Sequence, residues 1–289
     1  MNADSAFLIG ATHEVCQDYA VAGHGTPDER AVVSDWQTNP YVILSDGCSS
    51  SPDTDIGARL LVKAAEQGLL NARAPTAHAL TESHQEAAHR ALWWAELAGL
   101  RPQAVDATLL TAHLSGDELI AGCSGDGVVV FQSRTGVIDA YSISYASGYP
   151  LYPAYAHQPG RQLALEDKTR GCDKEVKHYR GVPADGPLRL VESRTSSSLT
   201  EVFTVPAQDS SYAALFSDGI HSFYSTCQTE TSKRVEAISM EAALRELIAF
   251  RHVRGAFVRR RLKRFVKDCQ TKGWQHMDDL AFGALHMGD

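Results

Sequence analysis

No apolar run in this 289-residue chain approaches the roughly 20 residues that a membrane-spanning helix needs. The opening MNADSAFLIG lacks the basic start and long apolar core of a secretory signal. The six cysteines form no C-x-x-C pair, which speaks against a zinc ribbon and against a disulfide framework. Positive charge is not in excess: 27 Lys and Arg stand against 35 Asp and Glu, for a formal charge of −8, so the chain does not read as a dedicated nucleic-acid binder. Repeats and linker-like shifts of composition are also missing, and residues 1–289 read as a single domain. Together these features predict a cytoplasmic protein with neither nucleic-acid nor membrane partners. With 44% hydrophobic residues it can build a substantial core.

What is present is a recurring arrangement in which an acid stands where an apolar run stops. Residues 41–44 (YVIL) read as a strand buried on both faces, and the run ends at Ser45-Asp46-Gly47. Asp53, Thr54 and Asp55 then offer N-caps to a helix whose apolar residues are Ile56, Leu60, Leu61 and Ala64. Taken alone, this is compatible with an ordinary strand-to-helix turn. The pattern returns, however: YAALF (212–216) ends in Ser217-Asp218-Gly219, and AGCSGDGVVV sets Asp126 between two glycines. Asp278-Asp279 leads into LAFGALHM, and Gln17-Asp18 follows FLIGATHEVC. Carboxylates that converge are costly unless a cation neutralises them, so the pattern predicts a metal cluster with hard oxygen ligands.

The remaining chain is read more coarsely. Strands are expected over 5–11 and 30–34, and helices over 56–70 and 76–98, the second stopped by Gly99 with Pro102 beyond. His78, His84 and His89 lack the four-residue spacing of a zinc-binding helix and read as surface residues. Residues 106–143 form a run of strands with turns at Ser115-Gly116-Asp117 and Arg134-Thr135-Gly136. GCSGDG has neither the order nor the following helix of a glycine-rich phosphate loop. Residues 145–200 show poor periodicity. Two helices are expected over 232–271; the later carries Arg251, Arg254, Arg259, Arg260, Arg261, Lys263, Arg264 and Lys267 beside an apolar stripe. Its cationic face reads either as a solvated surface or as a docking surface for an acidic partner or phosphoprotein.

The blocks THEVCQDYA, YVILSDGCSSSPDTDIGA, DATLLTAHLSGDELIAGCSGDGVVVF, YAALFSDGIHSF and MDDLAFGAL, in this order, resemble the PPM-type, or type 2C, metal-dependent serine/threonine phosphatases. The bacterial branch is the better match, and the resemblance spans residues 5 to 287. It implies an α+β fold: a four-layer α-β-β-α sandwich, two antiparallel sheets face to face with helix pairs outside. It also implies a phosphoserine/phosphothreonine phosphatase using two Mn²⁺ or Mg²⁺ ions and an activated water, without a phosphoenzyme. By resemblance Asp46 bridges the ions, the Gly47 carbonyl binds one, Asp218 and Asp278 complete the other site, and Asp18 acts in or just behind the Gly47 side. Asp279 stands behind the ligands, and residues 145–200 correspond to a variable flap.

Three departures are visible. His13 stands in place of a phosphate-binding Arg and is expected to bind substrate phosphate more weakly, Cys48 replaces a histidine, and Ser222 replaces an Asp, so that a third ion near Asp126 is expected to bind weakly or not at all. The implied partners are a phosphorylated protein substrate and, in addition, a cognate serine/threonine kinase. A catalytically weak phosphatase-like binding module, or a phosphatase of a small metabolite, remain open alternatives at this stage.

Overall fold

The structure is a computed structural model and describes residues 1–24, 40–71, 75–169, 174–182, 186–228 and 233–288. Its strands are β1 (Asn2–Leu8), β2 (Asp18–His24), β3 (Pro40–Asp46), β4 (Leu109–Ser115), β5 (Glu118–Ser124), β6 (Gly127–Ser133), β7 (Ile138–Tyr145), β8 (Lys174–Gly181), β9 (Arg189–Ser196), β10 (Thr200–Pro206), β11 (Ser210–Phe216), β12 (Phe223–Gln228), β13 (Lys233–Ala237), β14 (Trp274–His276) and β15 (Leu280–His286). The helices are α1 (Thr54–Asn71), α2 (Leu80–Leu97), α3 (Pro159–Thr169), α4 (Met240–Leu247) and α5 (Phe257–Lys272).

Side chains alternate across a strand, so an apolar strand must find cover on both faces. That rule builds the layers here. One sheet runs β1-β15-β11-β6-β7-β8-β9 and the other β10-β5-β4-β3-β2, with antiparallel pairing throughout both. Val42, Leu44, Leu110 and Ala121 of one sheet meet Val129, Phe131, Leu215 and Leu285 of the other in a shared core. The alternate residues point outward. Tyr41, Ile43 and Leu109 pack under α1 and α2, while Val128, Val130, Phe216 and Phe282 pack under α4 and α5. The expected α+β sandwich of antiparallel sheets is therefore the observed fold.

Several details differ from the sequence reading. The first strand is Asn2–Leu8 rather than 5–11, because Gly10 is already against the backbone of Met277 and Asp278. The expected strand at 30–34 lies outside the described residues. Instead of a helix beginning near 232, β13 pairs with β12, which pairs with β14, as a third sheet. The described part of residues 145–200 includes a 3₁₀ turn (Pro153–His157), α3, β8 and β9. They are fastened by an ion pair between Lys174 and Glu201 (3.1 Å), both almost fully buried, which links β8 of one sheet to β10 of the other.

His84 is a correction. It is 1% exposed, not a surface residue: Nδ1 is 2.8 Å from Ser124 Oγ and Nε2 is 2.9 Å from Thr111 Oγ1. It belongs to the buried stripe of α2 formed by Leu80, Ala87, Ala88, Ala91 and Ala95. His78 and His89 are exposed, as expected.

Close approach fixes Gly57 on α1: a Cβ there would lie 1.6 Å from the Ala104 carbonyl oxygen. Gly57→Ala is expected to lower stability by about 1–3 kcal/mol through overpacking, despite alanine's better helix propensity. Urea unfolding measures it; an unchanged or raised midpoint would contradict the tight contact.

Candidate active site

Strand ends from both sheets open at one edge of the sandwich. Register pairs Asp18 at the start of β2 with Asp46 at the end of β3. Phe216 at the end of β11 pairs with Phe282 near the start of β15, which brings together the flanking residues Asp218 and Asp278. Asp126 lies on the connection by which the chain leaves one sheet and enters the other. Gly125 (φ 92°) and Gly127 (φ 139°) supply the backbone angles this crossing requires. Acids far apart in sequence thus reach one place because they share a topological position.

A cavity of about 380 Å³ opens here, lined by Asp46, Asp126, Asp218 and Asp278, with Gly47, His13 and the Cys48-Ser49-Ser50-Ser51 loop. Asp18 is fully buried and lies behind this wall. Its Oδ2 accepts a hydrogen bond from Ser217 Oγ (2.6 Å), and that hydroxyl accepts from the Ala281 N–H (2.9 Å). One serine therefore couples β11, β15 and the acid on β2.

Burial raises the Asp46 carboxyl well above its usual range, and Asp18 and Asp218 push the same way. Asp18 and Asp126 are raised too, again by burial first. Asp278, more open, is raised by burial and by Asp218. Like charge raises these carboxyls on top of burial, a cost that a shared proton or a cation would relieve.

The donor set suits divalent cations that prefer oxygen. Asp18 Oδ1 and Asp218 Oδ1 are buried acceptors with no hydrogen-bond partner. Among the described residues no three His, Cys, Asp or Glu side chains converge on one point. The two observations are compatible, since Mg²⁺-like ions keep several waters and take only one or two carboxylates each.

Asp279 is almost fully buried, and both of its oxygens are engaged. Oδ1 accepts from Gly10 N–H (2.7 Å) and Oδ2 from Gln17 N–H (2.6 Å), which anchors the segment leading to Asp18. Asp279→Ala would strand both amides; a cost of about 2–4 kcal/mol is expected, at about 1–3 kcal/mol for each stranded group less relaxation. Chemical denaturation measures it, and a variant as stable as wild type would refute the anchoring role.

His13 lines the cavity but faces acids: Nδ1 is 3.0 Å from Asp279 Oδ2 and Nε2 is 3.4 Å from Asp278 Oδ1. Burial lowers the imidazole pKa, yet Asp279, Asp278 and Asp18 outweigh it and the net shift is upward. Ser222, which stands where the resemblance has an Asp, is engaged with the backbone. Its Oγ donates to the Gly219 carbonyl (2.8 Å) and accepts from the Asp278 N–H (3.2 Å), so it braces the turn that presents Asp278. The Cys48 thiol is 3.1 Å from Ser50 Oγ. Burial raises it, but contacts with Ser50, Tyr152 and Ser51 pull it down further.

Sequence reasoning missed one wall of the cavity. Arg161 on α3 donates from Nη1 to Asp106 Oδ1 (2.8 Å) and from Nη2 to Asp106 Oδ2 (2.6 Å), a two-point clamp on an acid that is 1% exposed. Ser51 Oγ donates to the same Oδ2 (2.7 Å), and the Cys48 N–H donates to the Asp106 carbonyl (2.8 Å). The clamp joins the segment bearing Tyr149, Tyr152 and Tyr155 to the loop that follows Asp46-Gly47. Asp106 opens the block DATLLTAHL and could have been singled out; Arg161 sits in a stretch with no readable pattern.

A family model described as protein phosphatase 2C matches residues 11–267. No curated protein matches the chain. Similar solved structures include a bacterial serine phosphatase (10% identity, TM-score 0.55, covering 100% of this chain and 98% of that one). The serine/threonine phosphatase Stp1 from Staphylococcus aureus is similar at 11% identity and TM-score 0.55, covering 100% and 96%. The S. agalactiae serine/threonine phosphatase is similar at 11% identity and TM-score 0.54, covering 98% and 97%. At these identities the likeness concerns the fold.

Proposed function

Because the chain belongs to the protein phosphatase 2C family, we propose that it is a metal-dependent phosphatase of phosphoserine and phosphothreonine in proteins, working without a phosphoenzyme. The observation that carries this reading is the cavity wall of Asp46, Asp126, Asp218 and Asp278, four acids from separate strand ends. In this reading Asp46, the Gly47 carbonyl, Asp218 and Asp278 would hold two Mn²⁺ or Mg²⁺ ions, with Asp46 the residue that would be common to both. When bound, such ions offset the charge of the phosphoryl oxygens and make water acidic enough to act as a nucleophile near neutral pH.

The chain's own residues do the positioning. Ser217 holds Asp18 behind Asp46, Ser222 holds the Asp278 backbone, and Asp279 holds the Gly10 and Gln17 amides. Thr108 Oγ1 accepts the Asp46 N–H (3.0 Å), which fixes the end of β3. His13 stands between Asp278 and Asp279, so in this reading it orients those acids and reaches substrate phosphate only secondarily. Asp126 faces the same cavity, where a weak third ion belongs to the proposal.

No described helix is long and apolar enough to cross a membrane. A single domain, a cytoplasmic location and a cognate kinase belong to the same proposal. The test is hydrolysis of an aryl phosphate with Mn²⁺, with Mg²⁺ and with chelator, followed by a panel of phosphopeptides and small phosphorylated metabolites. Metal-dependent turnover that favours phosphoserine and phosphothreonine peptides is expected. Full activity in chelator would overturn the metal reading, phosphopeptide binding without turnover would favour the binding module, and preference for a metabolite would overturn the protein substrate.

A further inference from the structure

Positive charge is concentrated in one place. Residues 251–272 hold nine of the chain's 27 Lys and Arg residues and only one of its 35 acids, a local charge of +8 in a chain of −8. The remainder therefore carries −16. The amphipathic pattern decides where the charge points. Phe257, Val258, Leu262, Phe265 and Cys269 are buried in the core beneath α5, so Arg259, Arg260, Lys263, Arg264 and Lys267 are left exposed. Arg251 and Arg254, just before the helix, are exposed as well.

The acids near this surface are few and already engaged. Asp4 Oδ2 accepts the backbone N–H of Arg259 (3.0 Å). Glu246 pairs with Arg261 and Lys272, and Asp268 stands 3.9 Å from both Arg261 and Arg264. Among the described residues no carboxylate pairs with the side chains of Arg251, Arg254, Arg259, Lys263 or Lys267. Like charges press on one another here. Burial lowers the Arg261 guanidinium pKa, and Arg264 and Arg251 lower it further, against Asp268 and Glu246. A surface that holds unneutralised cations together at this cost is suited to an anion brought from outside.

We propose that the exposed face of α5, with Arg251 and Arg254, docks an acidic polypeptide segment of the phosphoprotein on which the enzyme acts. This rests on the phosphatase reading. The geometry favours an extended acidic peptide. Arg259, Lys263 and Lys267 recur every four residues, about 6 Å apart along the helix, and alternate residues of an extended chain on one side recur about every 7 Å. The helix cannot insert into a bilayer, because its apolar stripe is already used in the core. A nucleic-acid duplex would bring a long line of phosphates against a body of charge −16. None of these basic residues lines the cavity, so docking and turnover are separable.

The test is a charge-reversed variant carrying Arg259→Glu, Lys263→Glu and Lys267→Glu, all exposed positions. Fluorescence anisotropy would use a labelled Asp/Glu-rich decapeptide and a Ser/Gly control; kinetics would use an aryl phosphate and a phosphothreonine peptide with an acidic or a neutral extension. Wild type is expected to bind the acidic peptide, lose it near 1 M salt, where the screening length falls to about 3 Å, and ignore the control. The variant is expected to bind about tenfold or more weakly, with a matching rise in KM for the acid-extended phosphopeptide and unchanged aryl phosphate turnover. Equal binding by variant and wild type would overturn the proposal. So would tighter binding to phosphatidylserine vesicles or duplex DNA, or salt-sensitive dimerisation that the substitutions abolish. Anisotropy needs no turnover, so loss of the phosphatase reading would show separately, as wild type inert towards aryl phosphate.

Discussion

Asp46→Asn is expected to reduce metal-dependent hydrolysis of an aryl phosphate by more than about 100-fold, since even outer-shell changes at metal sites cost about 10–100-fold. The same substitution should raise the melting temperature in chelator. Asp46 lies with the buried Asp18 and the half-buried Asp126 and Asp218 in a like-charge cluster, and one fewer carboxylate relieves it. Mn²⁺ stabilises the native state by binding it preferentially, and that stabilisation should shrink in the variant. Calorimetry with Mn²⁺ and with chelator reads both effects without relying on turnover. A variant that keeps wild-type activity, or keeps the full Mn²⁺-induced shift, would remove Asp46 from the centre of the site.

Acid stability should report on His84, which does not line the acidic cavity. Burial, and secondarily His113, pulls its pKa from 6.5 down to about 3. The unfolded chain takes up this proton below pH 6.5, while the folded chain does so only near pH 3. The contribution is therefore complete above 6.5 and lost as pH falls, at about 1.4 kcal/mol per pH unit and about 3 kcal/mol by pH 4. The raised carboxyls act oppositely: Asp46 and Asp126 bind protons more readily when folded, so their repulsion is relieved as pH falls. Whole-protein curves mix the two, and His84→Gln separates them. The stability gap between wild type and variant should narrow by about 3 kcal/mol from pH 7 to pH 4 in urea titrations. A gap that stays constant would mean that His84 is not held neutral by burial.

His84 also shows how far periodicity can be read. Its place four residues after Leu80 and four before Ala88 put it on the apolar stripe of α2. Histidine-to-histidine spacing carries no information about that stripe. The strands before Asp46 and Asp218 were legible because burial on both faces leaves unbroken apolar runs, and the acids because they interrupt those runs. β9 was not legible, since nearly all of its residues are exposed and no alternation survives. Nor was the stretch 145–200: Arg161 meets Asp106 across 55 positions, and the buried Lys174–Glu201 pair spans 27. Pairings of that kind are set by tertiary neighbours, which no local pattern encodes.

The pairing of β1 with β15 bears on how the molecule is made. Asn2 lies opposite His286, so the first strand has its partner only when the last has been synthesised. β15 also lies between β1 and β11, so it is a seam and not an edge. During translation Asp18, Asp46 and Asp126 emerge long before Asp278, and the seven-stranded sheet stays open on the side where β1 waits. Closure over so large a sequence separation is entropically late and slow. Until then the unpaired edge of β11 is open to other chains. An emerging chain without β15 therefore has neither a finished sheet nor a finished candidate site.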